Sequence, residues 1–132
     1  MNYMKLCDDL MLLSDKLAAA IVEHRHGYRV SASIRKEIVK IEEDKALFGL
    51  LRCALLTEKT KDYQNELGKL HYFIGEFDNL LLFILPLEND LSLILLADVG
   101  MLDLQSFIKN VNQTIEKNRV GTTEIQSKPQ FL

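Results

Sequence analysis

Leu80 to Leu85 run Leu-Leu-Leu-Phe-Ile-Leu, with polar turn residues close on either side. So short an apolar run, bounded in this way, reads as a β-strand, and because both alternations are apolar each of its faces must be covered. Leu70–Phe77 precedes it through Asp78-Asn79, and Leu91–Val99 follows it through Glu88-Asn89-Asp90. Asp and Asn side chains hydrogen-bond to nearby backbone and tolerate left-handed conformations, so both links read as tight turns. The segment predicts a three-stranded antiparallel meander sandwiched between two further layers.

The flanking sequence supplies those layers. Tyr3, Leu6, Cys7, Leu10, Leu13 and Leu17 recur every three or four residues and predict a helix over 3–17. Ala19–His24 and Arg29–Ser33, separated by Arg25-His26-Gly27-Tyr28, read as a hairpin in which Gly27 takes positive φ. A central helix is expected over 42–59: Glu42, Glu43 and Asp44 in its first turn and Lys59 near its last complement the helix dipole. Ile34 to Ile41 fits either a loop or an extra turn or two of helix. Asp103 is placed to cap a final helix whose apolar stripe is Leu104, Phe107, Ile108, Val111 and Ile115. The expected order is α-β-β-α-β-β-β-α in one domain over 1–118, followed by a flexible tail over 119–132.

Composition narrows the function classes. Sixteen basic and nineteen acidic residues give a net charge of −3. They are interspersed, so no basic field awaits a nucleic-acid backbone. The longest apolar run, Leu80–Leu87, has eight residues, where a spanning helix needs about 20. Asp8 and Asp9 occupy the place of a signal peptide's apolar centre, Asn2 is not the glycine of a myristoylation signal, and the C-terminal Pro-Gln-Phe-Leu is no prenylation box. Neither membrane insertion nor a lipid anchor is expected. Cys7 and Cys53 are the only cysteines and sit in apolar helical stretches, as reduced, buried thiols of a cytoplasmic protein do.

No constellation of catalytic residues stands out. His24 and His26 are two apart on the first hairpin, as two metal ligands can be, but no third ligand lies near them in sequence, and a merely polar hairpin tip is the plainer reading. His71 reads as a strand residue. Asp8 and Asp9 are about 100° apart around a helix and cannot converge on one substrate. Asp98-Val99-Gly100 lacks the glycine pattern and lysine of a phosphate loop, so Asp98 reads as a turn residue. Ser31 and Ser33 lack a nucleophile-elbow context. The sequence therefore predicts a non-enzyme with no metal or cofactor.

The central helix carries the more informative signal. From Ala46 to Leu56 only Arg52 is charged, whereas a sheet-facing stripe needs little more than about 100° of the circumference. Such a helix is either wholly buried in its own domain or covered on its second face by another chain. A small chain has little interior for the first.

The order of elements, the stretches Ala19–Glu23, Gly27 and Val30–Ser33, and the segment Leu80–Asp98 followed by Leu102 and the amphipathic final helix resemble roadblock-type dynein light chain domains over residues 3–118. The likeness is nearest to stand-alone archaeal members. The chain departs from the family in carrying His26-Gly27 where an acidic or Asn-Gly pair is usual, and in its longer link to the central helix. The resemblance implies an α+β, roadblock/profilin-like α-β-α sandwich: a five-stranded antiparallel sheet with the terminal helices on one face and the central helix on the other. It also implies a dimer, with itself or with a related roadblock-like chain, in which central helices pack together and the third strands join two sheets. Leu47, Phe48, Leu51, Leu55, His71 and Phe73 would lie in that interface. Family members are generally non-catalytic; many bind small Ras-like GTPases or scaffold motor and signalling assemblies. The competing reading is a PAS-like or profilin-like small-molecule sensor, which requires an enclosed cavity among residues such as His71, Tyr72 and Cys53.

Overall fold

The structure is a computed structural model that describes residues 1–35, 60–101 and 103–127. The expected central helix, with Leu47, Phe48, Leu51, Cys53 and Leu55, lies outside the described residues.

Helix α1 spans Tyr3–Met11. The Asn2 side chain accepts a hydrogen bond from the Lys5 backbone N–H at 3.1 Å, satisfying one of the unpaired amides of the first turn. Leu6, Cys7, Leu10 and Met11 are its buried face. The helix is shorter than the expected 3–17, because Leu17, although in helical phase, belongs to strand β1 (Leu17–His24) and pairs with Ala97. Ser14 turns the chain between them, its Oγ accepting from the Lys16 N–H at 3.0 Å.

Strand β2 (Arg29–Ile34) returns along β1, and Gly27 in the connecting turn has φ 90°. Further on, a 3-10 turn (Thr60–Tyr63) and the one-turn helix α2 (Gln64–Leu67) lead into β3 (Phe73–Glu76), β4 (Leu81–Pro86) and β5 (Leu91–Ala97). Asn89 and Asp90 both take positive φ, 59° and 62°, as the central pair of a hairpin turn that follows the sheet's twist. Strand β3 begins later than the expected Leu70. Continuing its register (Phe73↔Ile84) would bring His71 opposite Pro86, which has no N–H for the ladder.

The strands form one antiparallel sheet in the order β2-β1-β5-β4-β3. β1 and β5 are central, and β5 is buried along its whole length. On one face α1 and the final helix α3 (Leu104–Ser127) share a core with Leu17, Val22, Phe83, Leu93 and Leu95. Within it the rings of Phe83 and Phe107 meet 5.1 Å apart at 58°, a favoured tilted geometry. Asp103 caps α3 as expected, Oδ1 accepting from the Ser106 N–H at 3.0 Å. Asn118 on α3 donates to Asp9 on α1 at 3.2 Å. On the opposite face Ala18, Ala19, Ile21, Ile94 and Leu96 form a second buried cluster, composed of sheet residues alone among those described.

The backbone of α3 stays helical through Arg119–Ser127, beyond the limit that the polar composition of that stretch suggested. Arg119 pairs there with Glu116 one turn back and with Glu88 at the β4–β5 turn.

Candidate interaction surface

Two strands border the sheet, and they end it differently. At β2 the ladder with β1 is broken by a bulge between Val22 and Glu23. Helix α1 packs on β1 and β2, and just past the strand the Arg35 guanidinium donates to the carbonyls of Asp15 (2.7 Å) and Met11 (3.3 Å). A bulge and a tethered end are common ways to keep an edge from pairing with a second chain.

At β3 these devices are missing from the described residues. Its regular ladder joins β4 alone, which leaves outward backbone amides and carbonyls along Phe73–Glu76. Its neighbourhood is apolar and open: Tyr72 is 41% exposed, Ile74 37% and Phe77 59%. Side chains alternate along the strand. Ile74, opposite Phe83, therefore faces the α1–α3 side, while Phe73 and Gly75, opposite Ile84 and Leu82, face the other. The Phe77 ring lies back over Gly75, where an added Cβ would sit 3.4 Å from it.

On the α3 side the edge opens into a groove of about 690 Å³ between Tyr72 and the helix residues Gln105, Ile108, Lys109, Asn112, Gln113 and Glu116. His71 lies in the segment leading into β3 and lines two neighbouring surface grooves, with Lys69 and Arg119 in one and with Leu67 and Phe73 in the other. His71 and Phe73 are thus both at the free edge of the sheet. His71 and Tyr72 line open grooves, where the sensor reading required an enclosed cavity.

The polar groups considered as chemistry have structural surroundings. β1 ends at His24, and the rings of His24, His26 and Tyr28 stack at the hairpin tip, with centroids 5.0 Å and 4.6 Å apart. His24 Nδ1 accepts from the His26 backbone N–H at 3.2 Å. No group of three metal-ligating side chains occurs among the described residues. Asp98 Oδ1 accepts from the Gly100 N–H at 2.7 Å, a turn interaction. Asp9 is paired with Lys5 at 2.8 Å, and that hydrogen bond chiefly holds its carboxyl below the usual range. Burial pushes the Cys7 thiol up, a hydrogen bond with Ser31 partly opposing it, so the reactive thiolate is disfavoured. No described helix is long and apolar enough to cross a membrane.

One buried group carried no signal in the sequence. Glu23 is wholly inaccessible, and neither of its carboxylate oxygens has a hydrogen-bond partner among the described residues. At the end of a hairpin strand a glutamate reads as solvent-facing. Strand β1 lies inside the sheet, between β2 and β5, and Glu23 is enclosed there.

No protein-family model matches the sequence, and no curated protein matches it either. Solved structures do. A Roadblock/LC7 domain from Streptomyces avermitilis superposes with a TM-score of 0.69 at 15% identity, over 91% of this chain and 97% of that one. MglB of Myxococcus xanthus gives 0.64 at 12% identity, over 89% and 94%. An MglB structure with a tetrameric arrangement gives 0.63 at 12% identity, over 83% and 78%. At such identities the likeness is one of backbone architecture, and it extends over nearly the whole chain: this protein has the fold of a roadblock-type domain.

Proposed function

We propose that the protein is a non-catalytic dimerising module, a scaffold or regulator with a small Ras-like GTPase among its partners. The observation that carries this reading is the β3 edge: a strand whose outward backbone groups have no partner strand among the described residues, with Ile74 and Phe77 exposed beside a groove, in a sheet whose other edge is bulged and tied. A second copy, or a related chain, added antiparallel at β3 would satisfy those backbone groups and cover Ile74 and Phe77. His71 and Phe73 fall at that edge. Leu47, Phe48, Leu51 and Leu55 are assigned to the same interface from sequence, as the surplus apolar face of the central helix. The GTPase assignment rests on the roadblock resemblance.

Light scattering at micromolar concentration tests the association, with a dimer expected. Ile74→Lys should weaken it by roughly 30-fold, as loss of a central interface contact does, and leave the far-ultraviolet dichroism unchanged. A soluble wild-type monomer at that concentration refutes the dimer. Titrating the protein into a purified Ras-like GTPase loaded with GDP or with a GTP analogue tests the partner: binding to one nucleotide state in preference to the other is expected, and absence of binding to both removes the GTPase from the proposal.

A further inference from the structure

The second face of the sheet holds a charge problem at its hairpin end. Glu23 alternates with Ile21 on β1, and its register partner on β5 is Ser92, which alternates with Ile94 and Leu96, so its carboxyl belongs with the apolar cluster of that face. Its partner on β2 is Arg29, whose Nε is likewise buried without an acceptor among the described residues. The two side chains stand across a strand pair, yet no hydrogen bond joins them. The β1–β2 register shifts between Val22 and Glu23, so the ladder is already interrupted beside this pair.

We propose that Glu23 is a pH-sensitive latch: as the neutral acid it rests in the second face of the sheet, and its ionisation loosens the hairpin end of β1 and β2. A carboxylate without hydrogen bonds in such a place is strongly disfavoured, whereas a carboxylic acid costs far less. Burial is the main influence and pushes the Glu23 carboxyl up, the Arg29 charge only partly offsetting it. Among the described residues the charged groups around it are few. β2 presents Arg29, β5 presents the uncharged Ser92, and past the end of β1 lies the Arg25–Asp90 pair, 3.8 Å apart. Helix α1 packs on the other face.

The sign follows from linkage. For a carboxyl whose value is raised by folding, the stability it contributes is complete below the ordinary value of 4.5 and is lost as pH rises through the raised one. Strand β2 is the part of the sheet with most to lose, being an edge strand that pairs with β1 alone.

Thermal melts of the wild type and Glu23→Gln between pH 4.5 and 8 test the proposal. The wild type should lose stability relative to the variant as pH rises, the gap between the two melting temperatures changing by about 5 °C across the range. Comparing the two proteins cancels every other titrating group, and a gap that stays constant overturns the idea. Hydrogen exchange at pH 8 locates the effect: amides of Arg29–Ala32 should exchange faster in the wild type than in the variant, by roughly tenfold if opening of the hairpin end is about 1.4 kcal/mol easier, while those of β4 stay alike. Equal rates at β2 overturn the latch. Should Glu23→Gln not fold, carbon-13 titration of the Glu23 carboxyl in the wild type decides the matter. A midpoint above 4.5 supports the proposal, and one at or below it overturns it.

Discussion

Single side chains decide where the elements of this domain begin and how firmly its core holds. Asn2 caps α1 and Asp103 caps α3, each by accepting from the backbone N–H three residues on. Replacing Asn2 with alanine should cost about 1 kcal/mol and lower the melting temperature without altering the fold, which denaturant titration checks. Phe83 is fully buried and touches the Phe107 ring. Phe83→Ala should therefore cost about 3–5 kcal/mol through lost transfer energy and the cavity left behind, a large part of the total stability of a domain this size. In acid, Asp9 and Asp103 act in the sense opposite to Glu23. The Lys5 hydrogen bond lowers Asp9 and the Ser106 amide lowers Asp103, so the stability they give is present above the ordinary value of 3.8 and lost as pH falls through their lowered values. Asp103→Asn should leave the neutral-pH melt nearly unchanged and make the acid limb shallower.

At the scale of elements, the strands that looked alike in sequence have different positions and so different tasks. β1 and β5 are interior strands and almost wholly buried, while β3 lies at the edge with Ile74 and Phe77 exposed. This asymmetry makes β3 the element to test for association. Ile74→Lys places a charge on an edge strand, a device that natural sheets use against unwanted pairing. The matching substitution at the other edge, Val30→Lys, should leave association intact, because β2 is bulged at that level; sedimentation of the two variants side by side distinguishes the edges. Most of the elements could be read from periodicity: the meander, the first hairpin and the start of α3 lie where turn residues and apolar spacing put them. Helix α1 and strand β3 are shorter than periodicity predicts, for physical reasons that periodicity does not carry. Leu17 keeps helical phase by coincidence, and Pro86 ends a ladder from the neighbouring strand.

For the molecule as a whole, sequence alone determined a good deal: an α+β fold, a three-stranded meander and a capped amphipathic final helix. These are local properties, set by the spacing of apolar side chains and by turn residues whose backbone preferences are intrinsic. Tertiary structure decided the rest. The lateral order β2-β1-β5-β4-β3 joins residues far apart in the chain; it makes β3 an edge, with a groove between Tyr72 and α3 beside it, and sets β1, which carries the buried Glu23, inside the sheet. Exposure is a property of neighbours, and a sequence names neighbours only along the chain. The same apolar alternation serves an interior strand and an edge strand, and the same glutamate can be solvated or enclosed, until the strands beside it are known.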